Sequence, residues 1–105
     1  TLQAARQEVG LELPPRQPTA FIPRLVSAVE APDSVRERAT EIVASLPVEA
    51  YTGTRPTGVA AACIYAAAQE QEVSITQAEL AQKADVTTVT LRARLNVIRD
   101  VLEGR

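Results

Sequence analysis

Val89, Arg92, Asn96 and Arg99 recur at intervals of three and four residues, the spacing that sets side chains on one side of a helix. An arginine on such a face can donate two hydrogen bonds to a guanine edge, and a valine can pack on a thymine methyl. That is the chemistry of reading DNA, and the N-terminal end of a helix inserted in the major groove is where it is done. The plain alternative is a helical hairpin whose polar face is only solvated, since helical hairpins are common. Other chemistry finds little support. There is no His, which excludes imidazole metal sites and His-based catalysis, and one cysteine, Cys63, which excludes an internal disulfide. Cys63 lies between alanines and Ile64-Tyr65-Ala66, where a small buried hydrophobe is expected rather than a reactive thiol. Asp33, Glu37 and Glu41 are spaced as a solvated helix face. No nucleophile stands beside a base, so neither an enzyme nor a cofactor is expected.

Residues 76–102 must position the candidate reading face. They read as two helices joined by a tight turn. Thr76 can cap the first helix by accepting a bond from an unpaired backbone N–H, and Glu79, three residues on, can reach back to complete a capping box. Leu80, Ala81 and Ala84 form that helix's apolar face. Asp85-Val86-Thr87 is the turn, and Thr87 or Thr88 is the next N-cap. Leu91, Leu95, Ile98 and Leu102 follow at i, i+4, i+7 and i+11, an amphipathic stripe. The spacing is that of a helix-turn-helix: a small residue at the close crossing (Ala81), a turn residue four later (Asp85), an apolar plug (Val86), and the second helix's first buried residue five after that (Leu91). Many such turns carry Gly because the chain there is left-handed, and Asp is among the few other residues that tolerate this conformation.

The remaining chain predicts what these helices lean on. At 105 residues it is one domain by size, and with only Phe21, Tyr51 and Tyr65 as aromatics its core must be aliphatic and Ala-rich. Residues 1–9 look helical, with Leu2, Ala5 and Val9 on one face and Gly10 as C-cap. A linker at 11–18 holds Pro14, Pro15 and Pro18. A helix is expected over 19–29, burying Phe21, Ile22, Leu25, Val26 and Val29, provided that Pro23 falls in its first turn. Pro32 opens a second helix over 33–46 with Val35, Ala39, Ile42, Val43 and Leu46 inward, and Pro47 ends it. Residues 51–54 form a loop, and Pro56 starts a third helix to about 69. From 59 to 68 this helix is apolar all round, so it must be surrounded. No strand pattern, phosphate-cradling Gly loop or low-complexity tract occurs. The fold class expected is all-α, five helices after a linker, the third central. No apolar run reaches membrane-spanning length and no signal-peptide pattern opens the chain, which favours a cytoplasmic setting. The absence of any Met suggests a piece of a longer protein.

Charge is awkward for DNA binding: thirteen acidic against eleven basic residues, with a pI near 5.1. Its distribution is more helpful. Residues 1–75 carry six basic and nine acidic side chains, net −3, whereas residues 76–105 carry five and four, net +1. The helix-turn-helix half is therefore less hostile to phosphate. Lys83 is the one lysine and ten basic residues are Arg, which makes bidentate contacts to phosphate and guanine. Acid-rich, Lys-poor composition also occurs in proteins from high-salt cytoplasm. There phosphate contacts lose value, and base-edge and apolar contacts must supply more of the binding.

Two segments carry a family resemblance. Gly53-Thr-Arg-Pro-Thr-Gly-Val-Ala-Ala-Ala-Cys-Ile-Tyr-Ala-Ala-Ala68 resembles the S-G-R-S-P-x-x-x-A-A-A-x-x-Y-x-A segment of the TFIIB family of initiation factors. Thr76-Gln-Ala-Glu-Leu-Ala, followed by Asp85-Val-Thr-Thr-Val-Thr-Leu-Arg-Ala-Arg94, resembles that family's T-Q-x-E-I-A-x-x-A-G-V-x-x-V-T-I-R-x-R. Phe21-Ile-Pro-Arg24 is similar to its Y-V-P-R.

The resemblance implies two cyclin-like five-helix repeats, of which residues 18–105 look like the second, C-terminal one. Residues 1–17 would then be the tail of the preceding repeat's last helix plus the linker. It implies a helix-turn-helix that reads a purine-rich element just upstream of the TATA box. The two repeats together would grip the TATA-binding protein on its bent DNA and help to recruit RNA polymerase. Val89 and Arg92 match the family's base-reading positions; Thr87, Thr88, Arg94 and Arg99 fall where DNA-backbone contacts are made. Arg55, before Pro56 at a helix N-terminus, would touch a phosphate or cap a carbonyl within the domain. The chain departs from the pattern at Asp85, which replaces the turn Gly, at Thr52-Gly53-Thr54, and in its acidic first half. The lone repeat is accordingly expected to be monomeric and to bind DNA on the order of tens of micromolar or weaker. A cyclin-fold adaptor working through protein contacts alone stays open beside this reading.

Overall fold

The computed structural model describes residues 18–50 and 55–104. The helix expected over 1–9, its Gly10 cap, most of the linker and the 51–54 loop lie outside the described residues. Within them the chain forms five α-helices, α1 (Ile22–Ala28), α2 (Asp33–Ser45), α3 (Pro56–Glu70), α4 (Gln77–Ala84) and α5 (Thr88–Leu102), with 3₁₀ turns at Pro18–Phe21 and Val48–Ala50. No strand occurs among the described residues.

Prolines set the starts. Pro23 falls in the first turn of α1, where its missing N–H costs nothing, and Pro56 opens α3 in the same way. α1 is shorter than the expected helix over 19–29, because the chain enters it through the 3₁₀ turn. Phe21 accordingly sits half-buried at the turn, while Ile22, Leu25, Val26 and Val29 are buried as expected.

Three helices end in one way. Glu30, Glu72 and Asp85 take left-handed backbone, with φ of 58°, 59° and 60°. Beyond each, the next N–H reaches back five residues: Ala31 to the Val26 carbonyl at 3.0 Å, Val73 to Ala68 at 2.8 Å, and Val86 to Ala81 at 3.0 Å. These are Schellman ends, which satisfy carbonyls the helix leaves unpaired. Only the Asp85 end was anticipated, since Glu is not a residue that signals left-handed backbone.

α3 is the axle. From Gly58 to Ala68 every residue except the half-buried Tyr65 is buried, with α1, α2, α4 and α5 packed about it. Its alanines let neighbouring helix axes come close, and larger side chains on those neighbours (Ile22, Leu25, Ile42, Leu80, Leu91, Leu95, Ile98) fill the space between. On α2 the inward set Val35, Ala39, Ile42, Val43 and Leu46 is as expected. A forked pair, Arg38 to both Glu70 carboxylate oxygens at 2.7 and 3.2 Å, ties α2 to the end of α3.

Candidate nucleic-acid interface

α4 begins at Thr76, whose hydroxyl accepts a bond from the Glu79 N–H at 3.1 Å. This is half of the expected capping box; Glu79 contributes its backbone and its carboxylate does not close the reciprocal bond. Leu80, Ala81 and Ala84 are buried, which fixes α4 against the core. Asp85 turns the chain at φ 60°, ψ 44°. Thr87, not Thr88, then caps α5: its oxygen accepts from the Thr90 N–H at 3.1 Å and its O–H donates to Thr90 Oγ1 at 3.2 Å. Leu91, Leu95 and Ile98 face the core, while Leu102 is 37% exposed because the last turn of α5 outruns it.

This anchoring decides what α5 presents. Val89 is 71% exposed on the first turn, the more exposed of the two large hydrophobics left open among the described residues. Such a side chain would gain by packing on an apolar partner. Arg92 and Asn96 are exposed beside it. Arg92 is not loose: its Nε donates to Gln77 Oε1 at 2.8 Å, across from the first residue of α4. Arg99 lies about 15 Å further along the axis than Val89, where its Nη2 donates to Gln69 at the end of α3. Arg94 is on the other flank and half-buried, its Cγ 3.9 Å from where a Cβ on Gly58 would stand. Thr88 is half-buried, and the Thr87 hydroxyl is already engaged in the cap.

Arg55 precedes α3 and makes no side-chain cap there. Its Nη2 lies 3.6 Å from Asp85 Oδ2, both side chains largely exposed at 63% and 93%. The turn carboxylate is thus partly answered by a cation from the start of a neighbouring helix. Beside this pair a pocket of about 400 Å³ is lined by Phe21, Arg24, Arg55, Thr57, Lys83 and Asp85. The Arg24 guanidinium lies 5.3 Å above the Phe21 ring. The structure therefore brings Val89 and Arg92 together at one end of the motif, puts Arg55, Arg24 and Lys83 around the turn, and sets Arg99 apart at the far end. Arg24, Lys83 and Gln77 were not singled out by sequence. Their placement arises from contacts between elements, although Gln77 and Arg24 stand in the quoted Thr76-Gln77 and Phe21-Ile-Pro-Arg24 motifs.

Burial among apolar atoms pushes the Cys63 thiol from an ordinary 9.0 up to about 12, so it stays protonated at neutral pH. Among the described residues no group of three His, Cys, Asp or Glu could hold a metal ion, and no helix is long and apolar enough to cross a membrane.

Five α-helices packed about a buried central one, with no strand among the described residues, are the all-α cyclin-like architecture. Residues 11–101 match the transcription factor TFIIB repeat, and the chain belongs to that family. It is 39% identical over 98 residues to transcription initiation factor IIB 1 of Halobacterium salinarum, covering 92% of this chain and 34% of that protein. It is 36% identical over 104 residues to transcription initiation factor IIB of Methanococcus maripaludis, covering 98% and 31%. A third relative, transcription initiation factor IIB of Haloarcula vallismortis, is 38% identical over 95 residues, covering 90% and 83%. The chain spans about a third of the length of the first two. TFIIB proteins are transcription factors, not enzymes. Relatives from halophilic archaea accord with the acid-rich, Lys-poor composition.

Proposed function

We propose that this chain is the second cyclin-like repeat of a basal transcription initiation factor, and that its helix-turn-helix reads promoter DNA upstream of the TATA box. Residues 18–105 form that repeat, and residues 1–17 are the preceding repeat's tail and the linker. With a first repeat it grips the TATA-binding protein on DNA and bridges that complex to RNA polymerase. The observation that carries the reading is the pairing of an open Val89 with Arg92 on the first two turns of α5, one apolar and one bidentate donor side by side.

The major groove, about 12 Å wide, admits an α-helix such as α5, whose N-terminal residues then meet the base edges. Val89 packs on a thymine methyl, and the outer edge of the Arg92 guanidinium donates to guanine O6 and N7. Thr88, Arg94 and Arg55 flank that end and meet phosphates; Thr87 holds the helix start in place, and Arg99 reaches the backbone farther along. No cofactor takes part. The test is Arg92→Ala in the 105-residue chain, followed by fluorescence anisotropy with a purine-rich promoter duplex and a scrambled one. The preference for the promoter should fall by about 1–3 kcal/mol, with binding to the scrambled duplex little changed. An unchanged preference would move the function to the adaptor reading, in which the acidic surface meets proteins alone.

A further inference from the structure

We infer that Gln77 is a specificity-positioning residue: it holds Arg92 so that one edge of the guanidinium is presented to the base. The inference rests on the DNA-reading function proposed above and goes beyond it, to a residue on the other helix of the motif.

Arg92 stands on the second turn of α5, and its flexible side chain is exposed. Left alone, it would sample many rotamers, and ordering it on DNA would cost free energy. In the structure its Nε already has a partner. The Gln77 amide oxygen accepts from Nε at 2.8 Å, from a residue fifteen positions earlier. A guanidinium is planar and carries five N–H groups in a fixed fork. Engaging Nε turns that side toward α4 and leaves the Nη1 and Nη2 donors as the outward pair, the edge that a guanine O6 and N7 can accept. Gln77 itself is well placed to hold still. It is half-buried, it opens α4 directly after the Thr76 cap, and Leu80 and Ala81 seat that turn in the core. The two helices of the motif are therefore coupled through a polar contact as well as through packing, and that contact ends on the reading residue.

The substitutions separate position from charge. Gln77→Ala removes the acceptor on the first turn of α4. Gln77→Glu keeps an acceptor for Nε but adds a negative charge near phosphate. With the labelled 105-residue chain, a purine-rich promoter duplex and a scrambled duplex, Gln77→Ala should lower the promoter-over-scrambled affinity ratio by about three- to tenfold. Its binding to the scrambled duplex should stay within about twofold, because few phosphate contacts change. Gln77→Glu should weaken both duplexes and keep the ratio. In the free chain the Arg92 Nε–H resonance should shift in Gln77→Ala, and Gln77→Ala should have no further effect on the ratio in an Arg92→Ala background. A ratio unchanged in Gln77→Ala, or both duplexes weakened alike with unchanged circular dichroism, overturns the assignment. If Arg92→Ala also leaves the ratio untouched, the base-reading function has failed; if Arg92→Ala lowers it and Gln77→Ala does not, only the positioning role has.

Discussion

Asp85 shows how one side chain serves fold and function at cross purposes. Its left-handed backbone lets Val86 close the α4 end at 3.0 Å from the Ala81 carbonyl, and Asp is a tolerable residue for that conformation. Its carboxylate is nearly fully exposed in the turn before the proposed reading helix, with Arg55 3.6 Å away as a loose counter-charge. Screening by water keeps such a pair weak, so the negative charge is only partly masked. Asn would keep the backbone conformation and remove the charge. Asp85→Asn should therefore tighten binding to promoter and scrambled duplexes alike, by about two- to fivefold at low salt, with the gain fading as salt rises. Anisotropy at two salt concentrations checks it, and weaker binding would show that the carboxylate itself makes a needed contact.

Between residues and fold lie the helix ends, where strain is stored. Glu72 ends α3 at φ 59° with its side chain exposed. A side chain in that conformation costs about 1 kcal/mol that glycine avoids. Glu72→Gly should raise the thermal midpoint by about 4–8 °C for a domain of this size, measured by circular dichroism; a lowered midpoint would mean that Glu72 makes a stabilising contact outweighing its strain. The same elements show what the chain's order of residues discloses. Thr76 and Thr87 could be read as caps because capping is local, and Leu91, Leu95 and Ile98 as core because helical period is local. The all-round apolar run in α3 announced a surrounded helix. The glutamates at Glu30 and Glu72 were invisible because their conformation is imposed by the Schellman hydrogen bonds and the packing after them. The Gln77–Arg92 and Gln69–Arg99 bonds span fifteen and thirty positions, and no local pattern encodes such pairings. For the candidate face, the exposure of Val89 and Arg92 on one side of α5 was legible by periodicity, whereas the Arg24, Arg55 and Lys83 grouping at the turn needed three elements in place.

At the scale of the whole molecule, the balance is between an acidic body and a slightly basic motif, net −3 before residue 76 and +1 after it. A chain so charged gains little from general attraction to phosphate. On the proposed reading, discrimination comes from base-edge and apolar contacts at the start of α5, and a preceding repeat with the TATA-binding protein would hold it in register. The central claim is that α5 is a reading helix. The most direct test is an NMR titration of the labelled chain with the promoter duplex, at low and then high salt, against a scrambled duplex. The account predicts shifts concentrated at residues 87–99, larger for the promoter, with the promoter preference surviving added salt better than overall affinity does. No movement in that stretch at either salt, with the chain alone and with the TATA-binding protein added, would contradict it and leave the motif a structural hairpin.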